Sequence, residues 1–172
     1  MTSDILKYHP LRVTLHWLSA IIIIWSLLTG FTVYLMSLPD AWEELISFIN
    51  VSMTTLFIPV FVIRVVAALM LPVSPEPSLN RLNQKVAHAA HLLLYTVISV
   101  ELITGVLMMK RDINVFDIVT LPAPLDDPSL TSLFTQIHVV TSLLLLLLVA
   151  LHILAVIKHQ FTGKNVLARM KY

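Results

Sequence analysis

Among the seven histidines of this 172-residue chain, His138 and His152 bracket one oily run, "IHVVTSLLLLLLVALHI". A helix rises about 1.5 Å and turns about 100° per residue, so the two rings stand roughly 21 Å apart and within about 40° of one face. The same face therefore carries an imidazole at each of two depths. His16, in "LHWL", opens an earlier apolar stretch, and His88 and His91 share a face at the start of another. Buried imidazole has two uses. It can hydrogen-bond between helices, a contact worth about 1 kcal/mol or less in a membrane. Alternatively its lone pair can ligate a metal, and two neutral imidazoles on facing helices suit both axial positions of a haem iron. Cysteine is absent, which excludes disulfides, iron-sulfur clusters and thioether-linked haem.

The elements that must position these residues are membrane spans. Hydrophobic residues make up 58% of the chain and charged residues 12%, with a mean hydropathy of +0.89. A soluble domain carries about a quarter charged residues, so the composition describes an integral membrane protein. Four stretches, roughly 14–36, 46–70, 87–109 and 134–158, are long enough to cross about 30 Å of hydrocarbon. The first is too long, and too poor in cleavage-site residues, for a removed leader. The expected fold is all-α, a four-helix transmembrane bundle forming a single domain over residues 1–172. "LPVSPEPSLN" (71–80) makes one connection and "NVFDIVTLPAPLDDPSL" (114–130) a surface cap, more than a strand for a partner. Pro59 is expected to kink the second span.

Charge orients the bundle. Lys7, Arg12, Arg81, Lys85, Lys158, Lys164, Arg169 and Lys171 lie on the segments of one side. The other two loops carry Asp40, Glu43, Glu44, Asp112, Asp117, Asp126 and Asp127 against Lys110 and Arg111. The positive-inside rule puts both termini in the cytoplasm. The net charge of +1 and pI near 8.1 give no sign of a nucleic-acid partner. In this topology His16 and His152 reach the same inner level on the first and fourth spans. Ionisable residues inside spans are rare and usually functional, so the pair is a candidate for haem ligation; interhelical hydrogen bonding is the alternative.

"TLHWLSAIIII", "AHAAHLLLY", "TGVLMM", "IHVVTS", "ALHILAVIKH" and the tail "KHQFTGKNVLARM" together resemble the bacterial cytochrome b561 family. The resemblance covers nearly the whole chain in the order of its helices. It implies a b-type cytochrome of the bacterial inner membrane that carries electrons to or from membrane quinone such as ubiquinone, as in a respiratory chain. It also implies two b haems, the inner one held by His16 and His152. The outer one would use His138 and a histidine near the start of the second span. That position is Asn50 here, aligned by Arg64 and Ser52, and an amide is a poor iron ligand. One haem is therefore expected at the inner face. The outer site is expected to be empty, substoichiometric or five-coordinate.

Met53, one turn inward of Asn50, is a substitute ligand in principle and a packing residue by preference. Gly30 and Gly105 match positions where the family leaves room for a haem face. Glu101 interrupts the third span where the resemblance implies an apolar residue. It is expected either to join His138 and Asn50 in a polar cluster replacing the haem, or to be protonated and bonded to Thr104 or Ser99. Arg64, Lys85, His88 and His91 gather near the inner face, where basic residues can pair with haem propionates and His88 or His91 could meet a quinone carbonyl. His9 and His159 are expected at the solvent margin.

Three functions fit these residues. The first is a haem electron-transfer protein linked to quinone. The second is a haem-poor anchor or assembly partner. The third is the haem-bearing membrane subunit of a larger oxidoreductase with a soluble redox partner; a homodimer is compatible with any of them. Some relatives oxidise superoxide, but seven acids against two bases on the outer loops would repel an anion.

Overall fold

A computed structural model describes residues 8–71, 79–164 and 166–170. Lys7, Lys171 and most of the 71–80 connection lie outside these residues. Four long helices dominate: α1 (Pro10–Leu35), α2 (Asp40–Met70), α3 (Arg81–Leu107) and α4 (Pro128–Phe161). All four are long and apolar enough to cross a membrane. Their outward faces are apolar too, with Ile21, Leu28, Leu69 and Leu143 exposed, as a lipid solvent requires. The chain is an all-α, multi-pass membrane bundle.

The helices begin earlier than the apolar stretches because polar residues cap them. Pro10 and Pro128 open α1 and α4 at the position where a missing N–H costs nothing. The Asn80 side chain accepts from Asn83 N at 2.8 Å, and Asp127 Oδ1 accepts from Ser129 N at 2.7 Å. His9, expected merely at the solvent margin, accepts from Leu11 N through Nδ1 at 3.2 Å. Its margin partner His159 is half-buried. Pro59 lies within a continuous α2.

The 114–130 cap contains a small antiparallel hairpin, β1 (Ile113–Val115) and β2 (Val119–Leu121). Hydrophobic periodicity does not register strands this short. Phe116 and Asp117 at its tip have φ of 50° and 57°, and Ile118 N bonds Val115 O at 3.0 Å. Ser52, wholly buried on α2, secures this turn: its Oγ donates to Asn114 O at 3.2 Å and accepts from Phe116 N at 3.1 Å. The hairpin thus closes one end of the bundle. The opposite end, the termini end, carries the first and last described residues, where Trp17 Nε1 donates to Met170 O at 3.1 Å and Tyr8 N to Arg169 O at 3.2 Å.

α1 packs chiefly on α2 and α3 on α4, leaving a seam between two helical hairpins. Midway along it, Ile22, Leu27, Phe57, Phe61, Val97, Ile98 and Leu145 form an apolar plug contributed by all four helices. The seam is thereby divided into two polar compartments, one at the termini end and one at the hairpin end.

Candidate functional sites at the two ends of the seam

At the termini end, α1 and α4 run in opposite directions, so their histidines near this end reach one level. The ring centroids of His16 and His152 are 6.3 Å apart, with planes at 58°. From α3, His91 brings its ring to 5.5 Å from that of His152, and its Nδ1 lies 2.6 Å from Ala87 O. α2 contributes Arg64, whose Nη2 donates to His16 Nδ1 at 3.2 Å and whose Nε lies 3.4 Å from the Tyr95 hydroxyl. The guanidinium also stands 5.4 Å from the Tyr95 ring centroid. Tyr95 in turn stacks at 5.9 Å on Phe61 of the plug, which anchors Arg64 from beneath. Of the expected basic group, Arg64 and His91 meet the paired rings, whereas His88 and Lys85 lie exposed on α3.

This donor set fits an iron held by two imidazoles. Metal–imidazole bonds of about 2 Å on each side, with about 1 Å more to each ring centre, call for centroids about 6 Å apart. The His16–His152 pair already has that separation, at 6.3 Å. Among the described residues no group of three or more His, Cys, Asp or Glu has the geometry to hold a bare metal ion.

At the hairpin end a cavity of about 350 Å³ opens between the helices, lined by Gly30, Asn50, Glu101, Gly105 and His138 among apolar side chains. His138 Nε2 lies 3.2 Å from Glu101 Oε1, and Nδ1 lies 3.2 Å from Thr104 Oγ1. Glu101 also accepts from the hydroxyls of Thr141, at 2.5 Å, and Ser142. These two follow His138 by three and four residues and so share its helix face. Helical spacing from His138 is the signal that would have found them, since a carboxylate inside a span demands donors.

The expected cluster of Glu101, His138 and Asn50 forms only in part. Glu101 and His138 pair, whereas Asn50 lines the same cavity with its buried Oδ1 unpartnered, as does Ser26 Oγ nearby. The alternative partners for the carboxyl are not used. Thr104 bonds backbone and His138, and Ser99 donates to Tyr95 O. Met53 packs against the apolar plug and is not part of the cavity wall. A Cβ on Gly30 would stand 3.7 Å from Asn50 Nδ2, and one on Gly105 only 3.2 Å from His138 Cε1. The Gly105 notch is therefore filled by the imidazole itself.

This donor set does not fit a haem iron. One ring nitrogen of His138 faces a carboxylate and the other a hydroxyl, and the residue across the cavity is an amide.

Two polar compartments strung along a four-helix membrane seam, one with a pair of facing imidazoles, suit a membrane b-type cytochrome. A family model, prokaryotic cytochrome b561, matches residues 7–172, and the chain belongs to that family of membrane electron-transfer proteins. It is 29% identical over 164 residues to cytochrome b561 homolog 2 of Escherichia coli strain K12, covering 92% of this chain and 87% of that protein.

Proposed function

We propose that the protein carries electrons through a single b haem held at the termini end by His16 and His152, in exchange with membrane quinone. The separation of those two rings, 6.3 Å across helices α1 and α4, carries this reading. Charge asymmetry favours the termini end facing the cytoplasm of a bacterial inner membrane. Haem b, when bound, supplies one-electron chemistry.

The side chains supply position and charge. In the neutral ring that accepts from Arg64 at Nδ1, the proton resides on Nε2. Holding an iron through Nε2 would need that lone pair, with the ring proton on Nδ1 instead. Arg64, which has only donors, would then be free to pair with an anionic group such as a propionate. His91 borders His152, where its free ring edge suits a quinone carbonyl; His88 lies one turn away on the exposed face.

The test is the visible and electron paramagnetic resonance spectrum of purified His16→Ala and His152→Ala chains. Each substitution is expected to abolish the low-spin signal while leaving the protein membrane-inserted, because insertion depends on total hydrophobicity more than on one imidazole. A normal low-spin spectrum in both variants would overturn the assignment.

A further inference from the structure

We propose that Glu101 is a lock that keeps haem out of the hairpin-end compartment, by holding the ring nitrogen of His138 that an iron would need. The replacement of a ligand by Asn50 is visible from the sequence, but on this view it is only half of the change. Restoring an imidazole at position 50 is not enough while the carboxylate remains.

Three observations carry the inference. First, a carboxylate only accepts, so the 3.2 Å contact with Glu101 Oε1 puts the proton, not the lone pair, on His138 Nε2. The other nitrogen is engaged by Thr104 Oγ1 at 3.2 Å. Second, Glu101 is itself fixed. Thr141 and Ser142, both on α4 with His138, donate to its two oxygens, so α3 and α4 are tied at one level by three side chains on a single carboxyl group. Freeing His138 therefore means leaving a carboxylate short of a donor inside the membrane, which is costly. Third, the ring lies in the notch of Gly105, where even a Cβ would stand 3.2 Å from Cε1. The space beside α3 is taken by the locked imidazole. What remains is a cavity of about 350 Å³, at the small end of the range for cofactor sites.

The proposal concerns a different compartment from the electron-transfer site, and rests on that site only as the reference in the count below. Haem-to-protein ratio and low-spin signals are measured on full-length wild type, Asn50→His, Glu101→Leu and the double variant, all produced with haem in excess. One low-spin haem per chain is expected in the wild type and both single variants, and a second low-spin haem in the double variant alone. A further double variant, Asn50→His with Glu101→Gln, retains an acceptor for Nε2 and is expected to hold one.

Two low-spin haems in the wild type or in Asn50→His overturn the lock. So does a Glu101→Leu double variant that binds only one while keeping an unaltered signal at the termini end, which reports that it has folded. If no chain binds haem, the electron-transfer reading fails instead, and nitrogen-15 resonances of the His138 ring in the wild type decide the lock. A protonated, hydrogen-bonded Nε2 supports it, and an unprotonated Nε2 overturns it.

Discussion

At the termini end, His152 meets two other imidazoles, whereas at the hairpin end His138, on the same stripe of α4, meets a carboxylate. The two positions have similar surroundings in the fold: each histidine is half-buried, one beside His16 of α1 and the other in a cavity that Asn50 of α2 also lines. What differs is the chemistry of the neighbours. Around His152 stand two further imidazoles and a guanidinium, which has only donors and favours an anionic group. Around His138 stand hydroxyls and a carboxylate, which use up both ring nitrogens. One stripe on one helix thus yields a cluster of imidazoles at one end and a pair that satisfies itself at the other. The difference between the two ends lies in the partners of the histidines, not in the histidines themselves.

The comparison can be broken most decisively at the ligands, since loss of His16 or His152 is expected to remove the low-spin chromophore altogether. Next in size is Glu101→Ala. It leaves His138 and Ser142 without their shared acceptor, while Thr141 keeps Ile137 O at 2.9 Å, and unsatisfied buried donors cost about 1–3 kcal/mol each. Thermal unfolding in detergent should show a clear drop in stability, while Glu101→Gln, which keeps an acceptor, should lose less. Equal losses would mean that charge, not hydrogen bonding, holds this end together.

Arg64→Gln probes the other compartment. A positive charge near the iron favours the reduced, less positive state, so its removal should lower the reduction potential. At an effective dielectric of about 20 and a separation of about 7 Å, the expected change for a one-electron couple is on the order of 100 mV. A redox titration that overlays the wild type would detach Arg64 from the haem site.

The smallest effect belongs to Asp127, the cap of α4 at the hairpin end. Hydrogen bonds from the Ser129 hydroxyl and from the backbone N–H groups of Ser129 and Leu130 hold its carboxyl below the ordinary value of 3.8. A depressed carboxyl contributes its stabilisation in full above that value and loses it as pH falls through the lower folded one. Protection of the amides in the first turn of α4, taken relative to their intrinsic exchange rates, should therefore fall below about pH 4, and Asp127→Ala should remove that dependence. No such change at Ser129 or Leu130 on acidification would show the cap to be dispensable.

Much of the architecture is legible in the chain itself. Four apolar runs require four spanning helices, because a backbone in lipid must satisfy its own hydrogen bonds. Helical spacing on those spans sets His138 and His152 on one stripe, and antiparallel crossing brings His16 and His152 to one level. These conclusions follow from local periodicity and from the thickness of a bilayer, neither of which needs knowledge of contacts. Helix ends are less legible, because caps such as His9 and Asp127 extend helices beyond the apolar runs. The β1–β2 hairpin also lies beyond periodicity, since its strands are three residues long and its turn depends on Ser52, more than sixty residues away. Above all, the sequence alone leaves Glu101 with several possible partners. Side chains on α3 can reach α2, α4 or their own backbone, and only the rotation and spacing of packed helices select among them. The tertiary structure turns Glu101 toward His138, Thr141 and Ser142, and turns Met53 into the apolar plug. A hydrogen bond depends on tenths of an ångström and on angle, and such precision arises only when the helices have docked.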